Sequence, residues 1–250
     1  MKVAVIQMTC TIGDKNANFE KAAPMIEEAC QNGAKLIVLP ELFNTGYCCR
    51  DDWALAETGN DKTYEFLKYY TVKYDTSIMA GFIERSNVPG LVYNSVMYVH
   101  KNEKAKIYRK MYLWGAEKNR FIRGEELSVW KNDGINTAAQ ICYEVGFSEN
   151  ARMLTFGGAE IICYSAAFGR ARGYAWDLAT RARALENGCF VLASNHSSDE
   201  DGLEFCGMSR IVNTKGEVIA EATKDNEVVM ADIDINDCLL YTSPSPRDIS

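Results

Sequence analysis

Asn32-Gly-Ala-Lys-Leu-Ile-Val-Leu39 and Gly157-Gly-Ala-Glu-Ile-Ile-Cys-Tyr164 repeat one pattern in the two halves of the chain. In each, a glycine that closes a helix is followed at once by a short, unbroken apolar run, which reads as a strand buried on both faces. Each run stops at a loop with chemistry in it: Pro40-Glu41 after the first, Ser165 after the second. Two strand–helix–strand halves of this kind set the loops at equivalent strand ends, where open α/β sheets bind ligands.

Outward from this pair, strand and helix signals alternate. Val3 to Met8 reads as a buried strand, and Asn16 to Gln31 as a helix in which Pro24 marks a kink or the true first turn. Phe66, Leu67, Tyr70 and Tyr74 space a helix over Asp61 to Tyr74. Strands follow at Ile78 to Ile83, Leu91 to Val99 and Ile107 toward Lys110, the last two joined by a turn at Lys101-Asn-Glu-Lys104. Asn132-Asp-Gly134 is a hairpin signal between Leu127 to Trp130 and Ile135 to Cys142. Helices are expected at Ser148 to Phe156 and Tyr174 to Asn187, with strands at Ile161 to Tyr164, Phe190 to Ser194, Met208 to Asn213, Val218 to Ala220 and Val228 to Ile233. These segments suffice for two sheets, each covered on one face by helices.

With 250 residues, 47% of them hydrophobic, the chain can bury a large single core. The 34 acidic residues outnumber the 27 basic ones, and the net charge of −7 argues against a nucleic-acid or anionic membrane partner. Met1 to Met8 is too short for a signal sequence and no run approaches a membrane span, so a cytoplasmic protein is expected. The nine cysteines contain no C-x-x-C and read as reduced thiols, most of them core filler.

One cysteine stands apart. Thr137-Ala-Ala-Gln-Ile-Cys142-Tyr-Glu-Val-Gly146-Phe-Ser148-Glu149 reads as a strand ending in Cys142, a sharp turn at Gly146, and a helix capped by Ser148. A cysteine at such a corner points toward the positive end of the helix, which favours thiolate. Its partners are narrowed by what is missing. Only two histidines exist: His100 reads as a solvated strand end, and His196 lies in a polar loop where solvent contact is expected. If neither is the base, a carboxylate is. No cofactor is expected: isolated histidines without H-E-x-x-H or paired cysteines give no metal shell, and no glycine-rich phosphate loop occurs.

Leu39-Pro40-Glu41-Leu42-Phe43, Tyr108-Arg109-Lys110-Met111-Tyr112-Leu113 and Ile141-Cys142-Tyr143-Glu144, in that order, resemble the Glu, Lys and Cys motifs of the nitrilase superfamily of carbon-nitrogen hydrolases. Glu117 with Phe121 and Gly124 resembles the further glutamate segment of that family, and the similarity runs from Lys2 to about Asp234. The resemblance implies an α/β, four-layer αββα sandwich that pairs into homodimers or larger homo-oligomers. One departure is that Glu144 and Ser148 stand where many amidase-type members have an Asp two residues after the cysteine and a nearby Pro.

Amide carbons are poor electrophiles, so their hydrolysis needs a strong nucleophile, a charge partner for the oxyanion and a proton donor for the leaving amine. Cys142 is expected as nucleophile, Glu41 as general base, Lys110 with the backbone N–H of Tyr143 as oxyanion partner, and Glu117 as the group orienting Lys110 or the substrate. The expected reaction is metal-independent hydrolysis of an amide or N-carbamoyl substrate through a cysteine thioester. A nitrile substrate and a catalytically silent binding homologue are the alternatives. Ser165-Ala-Ala-Phe-Gly-Arg170-Ala-Arg172-Gly173 follows the second of the paired strands, so Ser165, Arg170 and Arg172 are substrate-binding candidates, as are Tyr143 and His196. The arginines suit a carboxylate on the substrate; otherwise they are solvated or pair with Asp177 and Glu186. The hydrolase domain is expected over 1–237, and 238–250, which contains Ser243-Pro-Ser-Pro-Arg-Asp248, resembles a translated sequencing adapter and is expected to pack little.

Overall fold

The computed structural model describes residues 1–101 and 103–241. In chain order the elements are β1 (Lys2–Gln7), α1 (Lys15–Gln31), β2 (Leu36–Val38), α2 (Asp52–Leu55), α3 (Lys62–Tyr74), β3 (Ser77–Arg85), β4 (Val92–His100) and β5 (Lys106–Arg109). The second half holds β6 (Val129–Asn132), β7 (Ile135–Ile141), α4 (Ser148–Phe156), β8 (Ile161–Ala166), α5 (Gly173–Asn187), β9 (Phe190–Asn195), β10 (Asp199–Glu200), β11 (Leu203–Glu204), β12 (Arg210–Val212), β13 (Val218–Glu221) and β14 (Glu227–Asp232).

Two six-stranded sheets form, in the orders β14-β1-β2-β3-β4-β5 and β13-β12-β9-β8-β7-β6. The halves share a plan. Three central strands run parallel, β1-β2-β3 in one sheet and β7-β8-β9 in the other, and antiparallel pairings add one strand on one side and two in succession on the other. The echoed sequence segments are thus β2 and β8, each the middle of its parallel trio.

Side-chain alternation builds the layers. Val3 and Val5 of β1 turn inward to the core shared by both sheets, with Val38, Met79, Ile141 and Leu192. Ala4 and Ile6, on the opposite face, pack under α1 and α3 with Ile26 and Leu67. Each fully buried side chain of this size contributes roughly 2 kcal/mol. With α4 and α5 on the second sheet, the architecture is the four-layer αββα sandwich.

Several local expectations are corrected. Helix α1 is continuous through Pro24, because proline deletes one N–H while Ala22, Met25 and Ile26 are buried on both sides of it. His100 is buried and its Nδ1 is 2.7 Å from Ser77 Oγ, its cross-strand partner in the β3–β4 ladder, so it is no solvated strand end. The short helix α2 and the β10–β11 hairpin carry too few residues for a periodic signal. At the end of the described chain, the turn Ile235–Tyr241 brings Cys238 into the core with Sγ 3.5 Å from the Glu160 carbonyl. The boundary expected after residue 237 therefore falls within a packed turn, and 242–250 of the expected tail lie outside the described residues.

Candidate active site

Glu41 lies two residues past Leu39, in the tight turns that follow β2, and is fully buried. Close approach makes this possible: a Cβ on Gly81 of β3 would stand 2.6 Å from Glu41 Cα and 2.4 Å from Leu42 N. Only glycine lets the loop lie on the strand. One carboxylate oxygen, Oε1, accepts from Lys110 Nζ at 2.7 Å and Asn94 Nδ2 at 2.6 Å, and Oε2 accepts from the backbone N–H of Ala167 at 2.9 Å.

Lys110 directly follows β5, where its N–H bonds to the Asn94 carbonyl at 2.9 Å and its carbonyl accepts from Gly124 N at 2.7 Å. Its ammonium is fully buried and also donates to Glu117 Oε1 at 2.8 Å. Burial pushes the ammonium pKa down, but Glu41 and Glu117 outweigh it and the net shift is upward. Glu117 is fixed from both ends: Oε1 also accepts from Tyr47 OH at 2.7 Å, and Oε2 from Trp114 N at 2.9 Å. Two of the three ammonium hydrogens are used, leaving one for a ligand.

Cys142 follows β7 and is 6% exposed. Its own φ is +49°, so the sharp turn expected at Gly146 is made by the cysteine itself. A non-glycine residue held in this region stores strain of about 1–3 kcal/mol and is a mark of functional sites. The helix α4 starts only at Ser148, after the turn Cys142–Gly146, and Ser148 is its first residue rather than its cap. The thiolate expected from a helix end is not favoured: burial pushes the thiol pKa well up, Glu41 adds to the shift, and Lys110 offsets part of it. The Ala167 N–H, which bonds Glu41, also lies near enough to the Cys142 sulfur to offset a little of its upward shift. Acid, ammonium and thiol therefore share one dry pocket.

The corner is braced by Glu144, which lay inside the Cys motif but had no role in the sequence reading. Its Oε1 accepts from Tyr108 OH at 2.8 Å, Met111 N at 2.7 Å and Tyr112 N at 3.2 Å, and its Oε2 from Ile141 N at 2.7 Å. One carboxylate so ties the segment after Lys110 to the strand before Cys142. Burial raises its pKa to about 7. Asn94 was also missed, though a carboxamide in the apolar run of β4 was a legible signal. The Ala167 N–H is backbone and has no sequence signal.

The remaining candidates divide. Ser165 is buried in β8 beside Ile141 in register, with no hydrogen-bond partner for its Oγ among the described residues. Tyr143 is half-buried, its ring 4.7 Å from Trp114 and 5.0 Å from Phe147. Arg172 places its guanidinium 3.7 Å from the Trp114 ring centroid and 5.4 Å from that of Phe168. Arg170 is instead exposed and pairs with Glu204 at 3.0 Å. Neither arginine pairs with Asp177 or Glu186, which are taken by Arg210 and Arg183. His196 is fully buried, not solvated, and its Nε2 lies 2.5 Å from the Glu41 carbonyl oxygen. It supports the Glu41 backbone.

A family model for carbon-nitrogen hydrolases matches residues 2–241. The 2-oxoglutaramate amidase of Bacillus subtilis (strain 168) is 32% identical over 239 residues, 94% of this chain and 91% of that protein. A nitrilase of Pyrococcus abyssi (strain GE5 / Orsay) is 33% identical over 244 residues, 94% of this chain and 90% of that protein. Among solved structures, Saccharomyces cerevisiae Nit3, a member of branch 10 of the nitrilase superfamily, superposes with a TM-score of 0.90 at 26% identity, covering 98% of this chain and 94% of that one.

Proposed function

The chain belongs to the carbon-nitrogen hydrolase family, and from that membership we propose that it hydrolyses a small amide or N-carbamoyl compound to an acid and ammonia through a thioester on Cys142. The observation that carries this reading is the buried Glu41–Lys110–Glu117 network, whose charges act directly on the buried Cys142 thiol.

The charge balance of the pocket supports the order of steps. Two carboxylates and one ammonium sum to −1, and ionising Cys142 outright would add a second uncompensated charge to a dry site. Moving the thiol proton to Glu41 as the sulfur attacks leaves the sum unchanged. The carbonyl π pair becomes an oxyanion, received by the remaining Lys110 hydrogen and the Tyr143 backbone N–H. Removing one such donor costs about 3 kcal/mol of transition-state stabilisation. Glu41 then returns the proton to the leaving nitrogen as the C–N bond breaks. It next takes a proton from water, which attacks the thioester, and the thiol leaves with that proton. Glu117 holds Lys110 in place throughout.

Arg172 supplies a cation beside this pocket, over Trp114, and forms no ion pair among the described residues. It suits an amide with a carboxylate at its far end, and the similar Bacillus subtilis protein carries the name of an amidase for such a compound. The similarity to a protein named nitrilase supports a second reading, in which the same residues act on a nitrile. Ammonia release from a panel of neutral amides, carboxylate-bearing amides, N-carbamoyl amines and nitriles separates them. The amide reading requires turnover of an amide and an acyl adduct on Cys142 by mass spectrometry. Turnover of nitriles alone overturns it.

A further inference from the structure

Cys10, His196 and Glu200 are distant in sequence but meet under the Glu41 loop, outside the groups used in the proposed reaction. Their ligand-capable atoms, one from each, all fall within 4.8 Å of one another. His196 and Glu200 are buried and Cys10 is half-buried. His196 Nδ1 and Glu200 Oε1 are 3.1 Å apart, yet neither makes an aligned hydrogen bond to any group among the described residues. Two buried polar atoms thus meet at ion-pair distance without a well-aligned bond, and a shared cation would complete the arrangement.

The other ring nitrogen explains how the space is set up. Nε2 lies 2.5 Å from the Glu41 carbonyl oxygen, which can only accept, so the hydrogen sits on Nε2. An ion that displaces any proton from Nδ1 meets that nitrogen's lone pair beside Cys10 and Glu200. Metal-ligating histidines are held in this way, one nitrogen on the ion and the other donating to a carbonyl. From this geometry we infer that Cys10, His196 and Glu200 form a site for a divalent transition ion of the zinc type, separate from Cys142 and joined to it through the Glu41 backbone.

Ligand chemistry selects the ion. A thiolate with an imidazole favours zinc-like ions over magnesium or calcium. A divalent charge is balanced by one thiolate and one carboxylate, so the occupied site is neutral in a buried setting. Bonds of about 2.0 to 2.3 Å in a tetrahedral shell hold ligand atoms roughly 3.3 to 3.8 Å apart. The His196–Glu200 pair is already near that spacing. The Cys10 sulfur, which now donates to the Phe43 carbonyl at 3.2 Å, closes the set by rotating its side chain, and its partial exposure leaves an entry path.

The inference does not depend on the substrate, and its test does not read activity. The full chain carrying Cys142→Ser, which removes the competing thiol, is titrated with zinc and with cobalt. One zinc per chain is expected, a sulfur-to-cobalt charge-transfer band, and a melting temperature raised by about 5 °C or more at a hundredfold excess over Kd. Adding Cys10→Ser should remove the band and weaken zinc at least about 100-fold. Adding Cys48→Ser, whose thiol bonds the Glu200 carbonyl, should leave both unchanged. Glu200→Gln, expected to weaken zinc similarly, provides a second reading should Cys10→Ser fold poorly. No saturable zinc, cobalt bound without a sulfur band, or undiminished affinity after Cys10→Ser would each overturn the inference.

Discussion

Glu41 and Lys110 form an ion pair of 2.7 Å in which neither side chain reaches solvent. Removing one member of a buried pair leaves an uncompensated charge and costs about 3–5 kcal/mol. Lys110→Met strands both Glu41 and Glu117, so it should lose stability on that scale together with all turnover. Glu41→Gln keeps an oxygen for Lys110 but removes the proposed base. It should retain most of the stability while kcat falls on the order of 10³-fold. Urea melts beside ammonia-release rates check both; an unchanged melt for Lys110→Met would contradict the buried network.

Cys142 holds a positive φ of 49°, and this separates chemistry from strain. Cys142→Ala should abolish turnover with a small change in stability. Cys142→Gly should be equally inactive but more stable than the alanine variant by about 1 kcal/mol, because glycine adopts this backbone without strain. Cys163→Ala and Cys189→Ala, both fully buried in the core, should lose stability and retain most of the rate. Turnover by Cys142→Ala would rule out the proposed nucleophile.

How far the sequence led depends on the kind of signal. Continuous apolar runs and their glycine stops located β2 and β8, and their echo predicted the paired halves, because burial on both faces leaves little room for polar residues. The segments carrying Glu41, Lys110 and Cys142 stood out because the resemblance joined them across the sequence, and the fold brings the three side chains together. The environments were not legible. His196 reads as a solvated loop residue because its neighbours are Ser197, Ser198 and Asp199, and only tertiary packing under Glu41 buries it. The thiol of Cys142 was expected to ionise from its place near a helix, but burial first and the Glu41 charge second push its pKa up.

Glu144 should leave a mark on stability against pH. Burial raises its pKa from 4.5 to about 7, so the native chain retains a proton that the unfolded chain has released between those values. Unfolding then releases a proton, and stability falls as pH rises from about 4.5 to about 7, by up to about 3 kcal/mol, and is level above. Glu144→Gln should lower stability overall, since its NH2 must face a donor, either Ile141 N or the Met111 and Tyr112 pair, but flatten this contribution. Melting temperatures of both proteins from pH 4 to 8 give the comparison, and parallel curves would contradict it.

The outer face of α4 and α5 carries Met153, Phe156, Tyr174 and Leu178 at 61%, 79%, 75% and 68% exposure. Soluble monomers seldom expose so much large apolar surface together. The homo-oligomer expected from the family resemblance should therefore bury this face. Sedimentation of the wild type should give a dimer or larger, and Phe156→Ser with Leu178→Ser should shift it toward monomer by at least tenfold in Kd. A wild type that sediments as a monomer at high concentration would contradict this.

Arg172 and Arg170 share one loop but differ in surroundings, and substrate charge should tell them apart. Arg170 is 62% exposed and paired with an equally exposed Glu204; such pairs contribute between 0 and about 1 kcal/mol. Arg172 is packed on Trp114, whose N–H holds Glu117, so its guanidinium is one residue removed from the Lys110 network. A desolvated two-pronged bond to a carboxylate contributes about 2 to 3 kcal/mol. Arg172→Ala should therefore lower kcat/KM for carboxylate-bearing amides by roughly 30- to 150-fold and for neutral amides by less than about fivefold. Arg170→Ala should change either by less than about threefold, and Arg172→Lys should rescue only in part, because an ammonium cannot make the paired bond. Equal losses on both substrate classes in Arg172→Ala would assign the residue to packing on Trp114 and remove the anionic substrate from the reading.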